Sequence, residues 1–328
     1  MEKNVFKRIL IYNSGGGLGD AIQLFPLILS LKNCFKDCAF FYIGAHKNHF
    51  SEKLKEFNVE LKTIDLDLKY FGFRWWHLLK INKKINEKNL DKFDLIIDLQ
   101  SKLRNTLILK QIPCYNFFSP TLNFFFCSKK KNYLNNDKNI STFILLNLEI
   151  FLNLKIKKIE FSLEMLEKKY IQEAKRLLPY SNYIGFSITQ GNQYRKKTWP
   201  IDNFIKLAKK YMSIGKEAVF FIEKKELELK NQIRKNLPNS IFPEHESKIT
   251  CPALVTALAS RLEKVITIDN GVMHMLSLAN VPMITLFGPT SSEKFSPRGN
   301  NVKILDSKIL YNSNDIAKIS VEDVFNYS

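Results

Sequence analysis

Apolar positions in this chain form short solid runs separated by longer stretches of helical spacing. Residues 6–13 (FKRILIYN), 39–43 and 95–99 are such runs in the first half, and 183–188, 218–222, 265–268 and 283–287 are their counterparts in the second. Runs of this length, closed by Gly, Asn or Pro, predict strands buried on both faces, as in a parallel sheet covered by helices. Between them apolar residues recur at helical spacing from Asp20 through Leu31, over 141–154, over the charged amphipathic stretch 167–178, and from Asp202 onward. Strand alternating with helix, twice over, predicts an α/β protein of two Rossmann-like domains with a ligand cleft at the strand ends. The expected division is 1–162 and 163–312, followed by a last segment, 313–328. In that segment Ser320 and Asp323 form a capping pair opening a helix expected to pack back on the first domain.

Two junctions concentrate the polar signals. After the 6–13 run comes Ser14-Gly15-Gly16-Gly17-Leu18-Gly19-Asp20, a strand, a glycine-rich turn and a helix start. The loop fails the dinucleotide fingerprint GxGxxG and lacks the GK[ST] of a P-loop, which disfavours nicotinamide and nucleoside-triphosphate enzymes. Asp20 alone is accounted for as an acid favoured by the helix dipole, yet a carboxylate at a strand end is equally the place for a general base.

The second junction is TIDNGVMHMLSLANVPMITLFGPT, residues 267–290. An apolar run stops at Asp269-Asn270-Gly271 and a helical pattern begins at once, so free backbone N–H groups and the positive end of a helix dipole are offered to an anion such as a diphosphate. His274, in the first turn, adds a donor. The loop TQGNQYRKKTWP at 189–200 also follows a strand. Lys197 is its candidate for neutralising a diphosphate, with Arg195 and Lys196 as competitors.

Charge changes the picture less than it promises. The net charge is +18, spread over both halves of the chain. Nucleic acid, anionic lipid or anionic sugar would each suit it, as would a lysine-rich proteome, and no helix-turn-helix, zinc-finger or RNP-like pattern supports nucleic acid. The five cysteines include no CxxC and no closely spaced histidines, so reduced thiols are expected and a zinc site is not. Asp65-Leu66-Asp67 has the form of a DxD metal motif but stands apart from other ligands. Trp75, Trp76 and His77 are read as surface or acceptor-loop packing, and the aromatic stretch 116–126 as the core of a strand and loop. A lysine- and asparagine-rich loop is expected at 128–139. No run is long enough to cross a bilayer and no signal peptide is evident, which predicts a cytoplasmic protein.

Taken together, GGLGD after the first strand, KTWP in the middle, and DNGVMH followed by LFGPT near the end resemble glycosyltransferase family 9, the ADP-heptose:lipopolysaccharide heptosyltransferases. The segment DLQSKLRNTLILKQI at 98–112 is similar to the family's Asp-x-Gln stretch and its following helix. The resemblance implies a GT-B fold, with parallel sheets facing a central cleft, and an acceptor domain preceding a donor domain. It implies an ADP-sugar donor, inversion at the anomeric carbon, and neither a metal nor any other cofactor. The implied acceptor is an anionic lipid-linked glycan such as a lipopolysaccharide core, reached at the inner face of the cytoplasmic membrane with possible peripheral contact and no nucleic-acid partner. In that scheme Asp20 matches the general base, and Lys197 the lysine on the donor phosphates. Thr189, Asp269, Asn270, Gly271 and His274 match the diphosphate site, and Glu223 or Glu226 a glutamate near the donor ribose. Gly17, Gln100 and Arg104 fall on the acceptor side. Asn270 stands where many members carry Thr or Ser, and the loop between Thr189 and Lys197 is longer than in the best-known members. Alternatives are a transferase or epimerase using a UDP- or GDP-sugar, or a nucleotide-sugar binding protein without catalysis.

Overall fold

The computed structural model describes residues 6–45, 48–135, 139–190 and 197–327. The chain divides into two compact units, Met1–Phe161 and Ser162–Ser328. Each is built on a five-stranded, all-parallel sheet.

In the first unit the strands are β1 (Arg8–Asn13), β2 (Ala39–Gly44), β3 (Lys62–Thr63), β4 (Phe93–Asp98) and β5 (Cys114–Phe118). Their order across the sheet is β3-β2-β1-β4-β5. The second unit holds β6 (Tyr183–Ser187), β7 (Glu217–Phe221), β8 (Leu262–Ile268), β9 (Met283–Phe287) and β10 (Val302–Asp306). Here the order is β10-β9-β8-β6-β7. The first is the Rossmann order and the second the flavodoxin-like order, so each sheet has one point where the winding reverses, between β1 and β4 and between β6 and β8. Strands beside these points are apolar on both faces: Ile9, Leu10, Ile11 and Tyr12 of β1 have no exposed surface, nor do Val265, Ile266 and Ile268 of β8.

The helical stretch expected from Asp20 to Leu31 is two helices, Leu18–Ile22 and Phe25–Cys34. Pro26 causes the break. It sits in the first turn of the second helix, where a missing N–H costs nothing, whereas inside a continuous helix it would clash with the preceding turn. The terminal helix, Val321–Asn326, opens on the expected box: Ser320 Oγ accepts from the Asp323 N–H and the Asp323 carboxylate accepts from the Ser320 N–H. Its contacts are with the helix Ile201–Ser213 of its own unit, through Tyr211 against Phe325 and the Lys210–Glu322 ion pair. Trp199, fully buried, fastens the segment before it by donating to the Ile319 carbonyl.

The aromatic stretch splits. Phe117, Phe118 and Phe124 are buried, as a core reading requires, but Leu122 and Phe125 stand in solvent. Leu122, Asn123 and Phe124 all take left-handed backbone angles, with φ of 48°, 52° and 62°, a conformation costing an L-residue about 1–2 kcal/mol. Phe124 secures the turn by stacking on Tyr133 at 4.4 Å between ring centres. Asp67 of the DxD sequence is occupied by ion pairs to Lys84 and Lys88, and the described residues include no group of three His, Cys, Asp or Glu able to hold a metal. His77 is not a surface residue. Its ring is fully buried, stacked on Phe71, and Nδ1 accepts from the Gly72 N–H at 3.2 Å. No described helix is long and apolar enough to cross a membrane.

Candidate functional site

In an open α/β sheet, ligands sit outside the carboxyl ends of the strands where the winding reverses. In the second unit that point lies between Ser187, which ends β6, and Asp269-Asn270, which follow β8. Asn270 ties the two strand ends together. Its Oδ1 accepts from the Met273 N–H at 2.7 Å and so caps the helix Gly271–Ser277. Its Nδ2 donates to Ser187 Oγ at 2.9 Å and to the Thr189 carbonyl at 2.8 Å. A Thr or Ser would provide the cap but would lack this second arm.

Asp269 and Lys197 form an ion pair of 2.5 Å, with side chains only 9% and 15% exposed. The Lys197 backbone is held in turn by Gln190, whose Oε1 accepts its N–H at 3.0 Å. Two largely buried opposite charges are stable together where either alone is costly. A carboxylate cannot itself attract a diphosphate, so the chemistry open to Asp269 is to hold the Lys197 ammonium at the helix start. Gly271 is the first helical residue, and His274 is buried in the same helix, 5% exposed. One strand over, Thr290 beyond β9 is buried with its hydroxyl unpartnered among the described groups.

Beside this point lies a cavity of about 380 Å³ lined by Thr189, Gln190, Thr198, Trp199, Pro200 and Glu226, among others. Thr189 and Glu226 are therefore brought together on one cavity. Glu223 does not line it. Its side chain is 63% exposed and pairs with Lys225. Burial, with Glu223 close by, pushes the carboxyl of neighbouring Glu244 up to about 7. Arg195 and Lys196 lie outside the described residues. A larger cavity of about 600 Å³, lined by Lys206, Lys209, Lys210 and Lys318, lies between the helix Ile201–Ser213 and the C-terminal segment; the capping residue Ser320 lines it, and none of the candidate donor or acceptor residues does.

The first unit repeats the layout with different chemistry. Beyond β1, Asp20 accepts from the Gly17 N–H at 3.1 Å and is partly exposed. A side chain at position 17 would put its Cβ 3.0 Å from Asp20 Oδ2, so glycine leaves that carboxylate room. Asn13, the last residue of β1, accepts from the Gly15 N–H at 3.0 Å and from Gln100 Nε2 at 2.9 Å, joining the ends of β1 and β4. Asp98, which ends β4, is fully buried and accepts from Thr106 Oγ1, Ser119 Oγ and the Gln100 N–H at 2.7 to 2.9 Å. Burial outweighs these bonds and pushes its carboxyl up to about 6. Arg104 donates from Nε to the Gly72 carbonyl at 2.8 Å, packed where the Tyr12 hydroxyl donates to the Phe71 carbonyl.

Gly17 and Asp20 thus belong to one helix start, as N-cap and first-turn residue, Gln100 to the strand end beside it, and Arg104 to the helix that follows. Asn13, Ser187 and Gln190, which hold these groups, were not singled out from sequence. Asn13 and Ser187 end apolar strands, and a polar residue there was the available signal.

The family model for glycosyltransferase family 9 (heptosyltransferase) matches residues 78–325. Lipooligosaccharide heptosyltransferase 2 of Campylobacter jejuni is 24% identical over 295 residues, which cover 88% of this chain and 83% of the relative. Among solved structures, a glycosyltransferase of family 9 from Veillonella parvula superposes with a TM-score of 0.70 at 21% identity, covering 99% of this chain and 97% of that one. Escherichia coli heptosyltransferase WaaC with ADP-2-deoxy-2-fluoro heptose gives 0.68 at 15% identity, with 98% of both chains covered. The GT-B fold expected from the motifs is borne out by these likenesses.

Proposed function

The chain belongs to glycosyltransferase family 9 and is a glycosyltransferase, and from that premise we propose that it moves a heptose or similar sugar from an ADP-sugar to a lipopolysaccharide core or related anionic, lipid-linked glycan, with inversion at the anomeric carbon. The observation that carries this reading is the Lys197–Asp269 pair beside the Asn270-capped helix start. Such a lysine and the first N–H groups of a helix are what a leaving nucleoside diphosphate requires.

Asp20 takes the proton from the acceptor hydroxyl as its oxygen attacks C1 of the sugar. The bond from C1 to the β-phosphate oxygen breaks, and negative charge grows on the departing ADP. Lys197, the backbone N–H groups at Gly271 and the first-turn His274 stabilise that charge, and a metal is not called for. The cavity at Thr189 and Glu226 takes the nucleoside, with Glu226 rather than Glu223 as the ribose acceptor, since only Glu226 lines it. Gln100 and Arg104 meet the acceptor. The relatives named for lipooligosaccharide heptosyltransfer support this substrate class.

The test is product analysis with ADP-heptose and a heptose-free lipopolysaccharide core, run beside UDP- and GDP-sugars. A β-phosphate-linked donor giving the inverted glycoside, with ADP released, is the expected result. Turnover with a UDP- or GDP-sugar alone would leave the family in place and remove the ADP-heptose assignment.

A further inference from the structure

Two loops at the carboxyl end of the first unit's sheet expose large apolar side chains to solvent. One precedes the helix His77–Glu87 and continues into its first turn: Trp75 is 55% exposed, Trp76 44% and Leu79 85%. The other is the left-handed turn after β5, where Leu122 is 62% and Phe125 65% exposed. Both are anchored to the acceptor-side residues. The Gly72 carbonyl of the first loop accepts from Arg104, and Thr121 of the second donates to the Gln100 carbonyl at 3.1 Å. Cations are interleaved with them. Lys80 lies over the Trp76 ring at 4.8 Å and Lys130 over Phe125 at 4.8 Å, while Arg74 and Lys131 are exposed alongside.

Aromatic rings and leucine beside lysine and arginine match the interfacial layer of an anionic bilayer, where rings settle at headgroup depth and cations meet lipid phosphates. Two copies of the chain meeting through this surface would set like charges against each other, and a soluble acidic partner does not account for tryptophans held outward next to acceptor residues. We propose that this pair of loops docks the enzyme on an anionic membrane surface, so that the headgroup side of a lipid-linked acceptor reaches Gln100 and Arg104. The inference rests on the glycan acceptor proposed above and adds the face and residues that meet the lipid.

The chain's own tryptophans report on it. Of three, Trp75 and Trp76 are in the first loop, and Trp199 is buried in the other unit with its N–H bonded to Ile319. The full chain is mixed with vesicles of phosphatidylcholine plus phosphatidylglycerol, or of phosphatidylcholine alone, with and without brominated acyl chains. We expect sedimentation with the anionic vesicles and quenching by the brominated lipid. Replacing Trp75, Trp76 and Leu79 together by serine lowers partitioning about tenfold or more, and Leu122→Ser with Phe125→Ser lowers it less. Absence of vesicle binding overturns the proposal. So does binding that is unquenched and indifferent to both variants, since that reports net charge alone. Light scattering that shows a dimer dissolved by the serine variants assigns the surface to a second copy and overturns it too. ADP titration of the same samples separates the two readings: wild-type protein that binds ADP yet ignores vesicles removes the docking surface only, and vesicle binding without ADP binding removes the donor assignment and leaves the surface standing.

Discussion

The two units solve the same architectural problem and finish it differently. In both, polar side chains bridge the strand ends where the winding reverses, Asn13 to Gln100 in the first and Asn270 to Ser187 in the second. In the second unit the bridging residue also caps a helix, and a buried ion pair fixes Lys197 at that point, so the proposed anion site is assembled before any ligand arrives. In the first unit the corresponding loop is a run of glycines with a partly exposed carboxylate, set above a buried Asp98 and bordered by exposed aromatic loops. On the proposed function, a small, invariant leaving group is served by rigidity, since hydrogen bonds formed in advance need no reorganisation when charge develops. The proposed acceptor, a hydroxyl on a large glycan, is served by an open edge.

That contrast is broken most sharply at Asp20. Asp20→Asn keeps the Gly17 contact in shape but removes the proposed base, so turnover is expected to fall by about 10²–10⁴-fold while ADP affinity is unchanged. Unaltered turnover would make the chain's proton acceptor some other group. Next in size is Lys197→Ala, which leaves Asp269 buried and unpaired. It should weaken ADP binding and lower unfolding free energy by about 3 kcal/mol. Adding Asp269→Asn should restore most of the stability and none of the affinity, and denaturant melts beside ADP titrations separate the two. If both return together, the pair is structural only.

The Asp98 prediction concerns pH. An acid held near 6 in the folded chain against an ordinary value of 3.8 binds its proton more tightly when folded. Its contribution therefore favours the folded state at low pH, is lost as pH rises from about 4 to about 6, and is flat above, by roughly 3 kcal/mol in all. Unfolding curves across that window should show a loss in the wild type that Asp98→Asn lacks, and parallel curves would contradict it. Smallest is Asn270→Ala, which removes a helix cap and two bonds to the β6 end for a cost of about 2 kcal/mol. Its melting point should fall without any change at the first unit, and Asn270→Ser should recover the cap alone.

Local punctuation made much of this legible. Gly15 to Asp20 and Asp269 to Gly271 mark strand ends because glycine and short polar residues stop an apolar run, and both junctions stand where they were read. The helix break at Pro26 is equally local, but the apolar spacing continues across it and masks the break. The ties that complete the sites were not local. Asn13 meets Gln100 across 87 residues and Asn270 meets Ser187 across 83, distances over which no periodicity speaks. The reversed strand order of the second sheet and its edge strand Val302–Asp306 depend on long-range pairing in the same way. Burial decided the aromatics. The same composition that places Phe117 and Phe118 in the core leaves Leu122 and Phe125 outside, where three left-handed residues, 122–124, turn the chain.

The most direct test of the division of labour is calorimetric titration of ADP, with UDP and GDP alongside, into the wild type, Asp20→Asn and Lys197→Ala. The account predicts selective ADP binding that is equal in the wild type and Asp20→Asn and about 10²-fold weaker in Lys197→Ala, the loss of one or two charge-assisted hydrogen bonds. Binding that weakens equally in both variants, or that is indifferent to Lys197, would contradict a donor site held by the second unit alone.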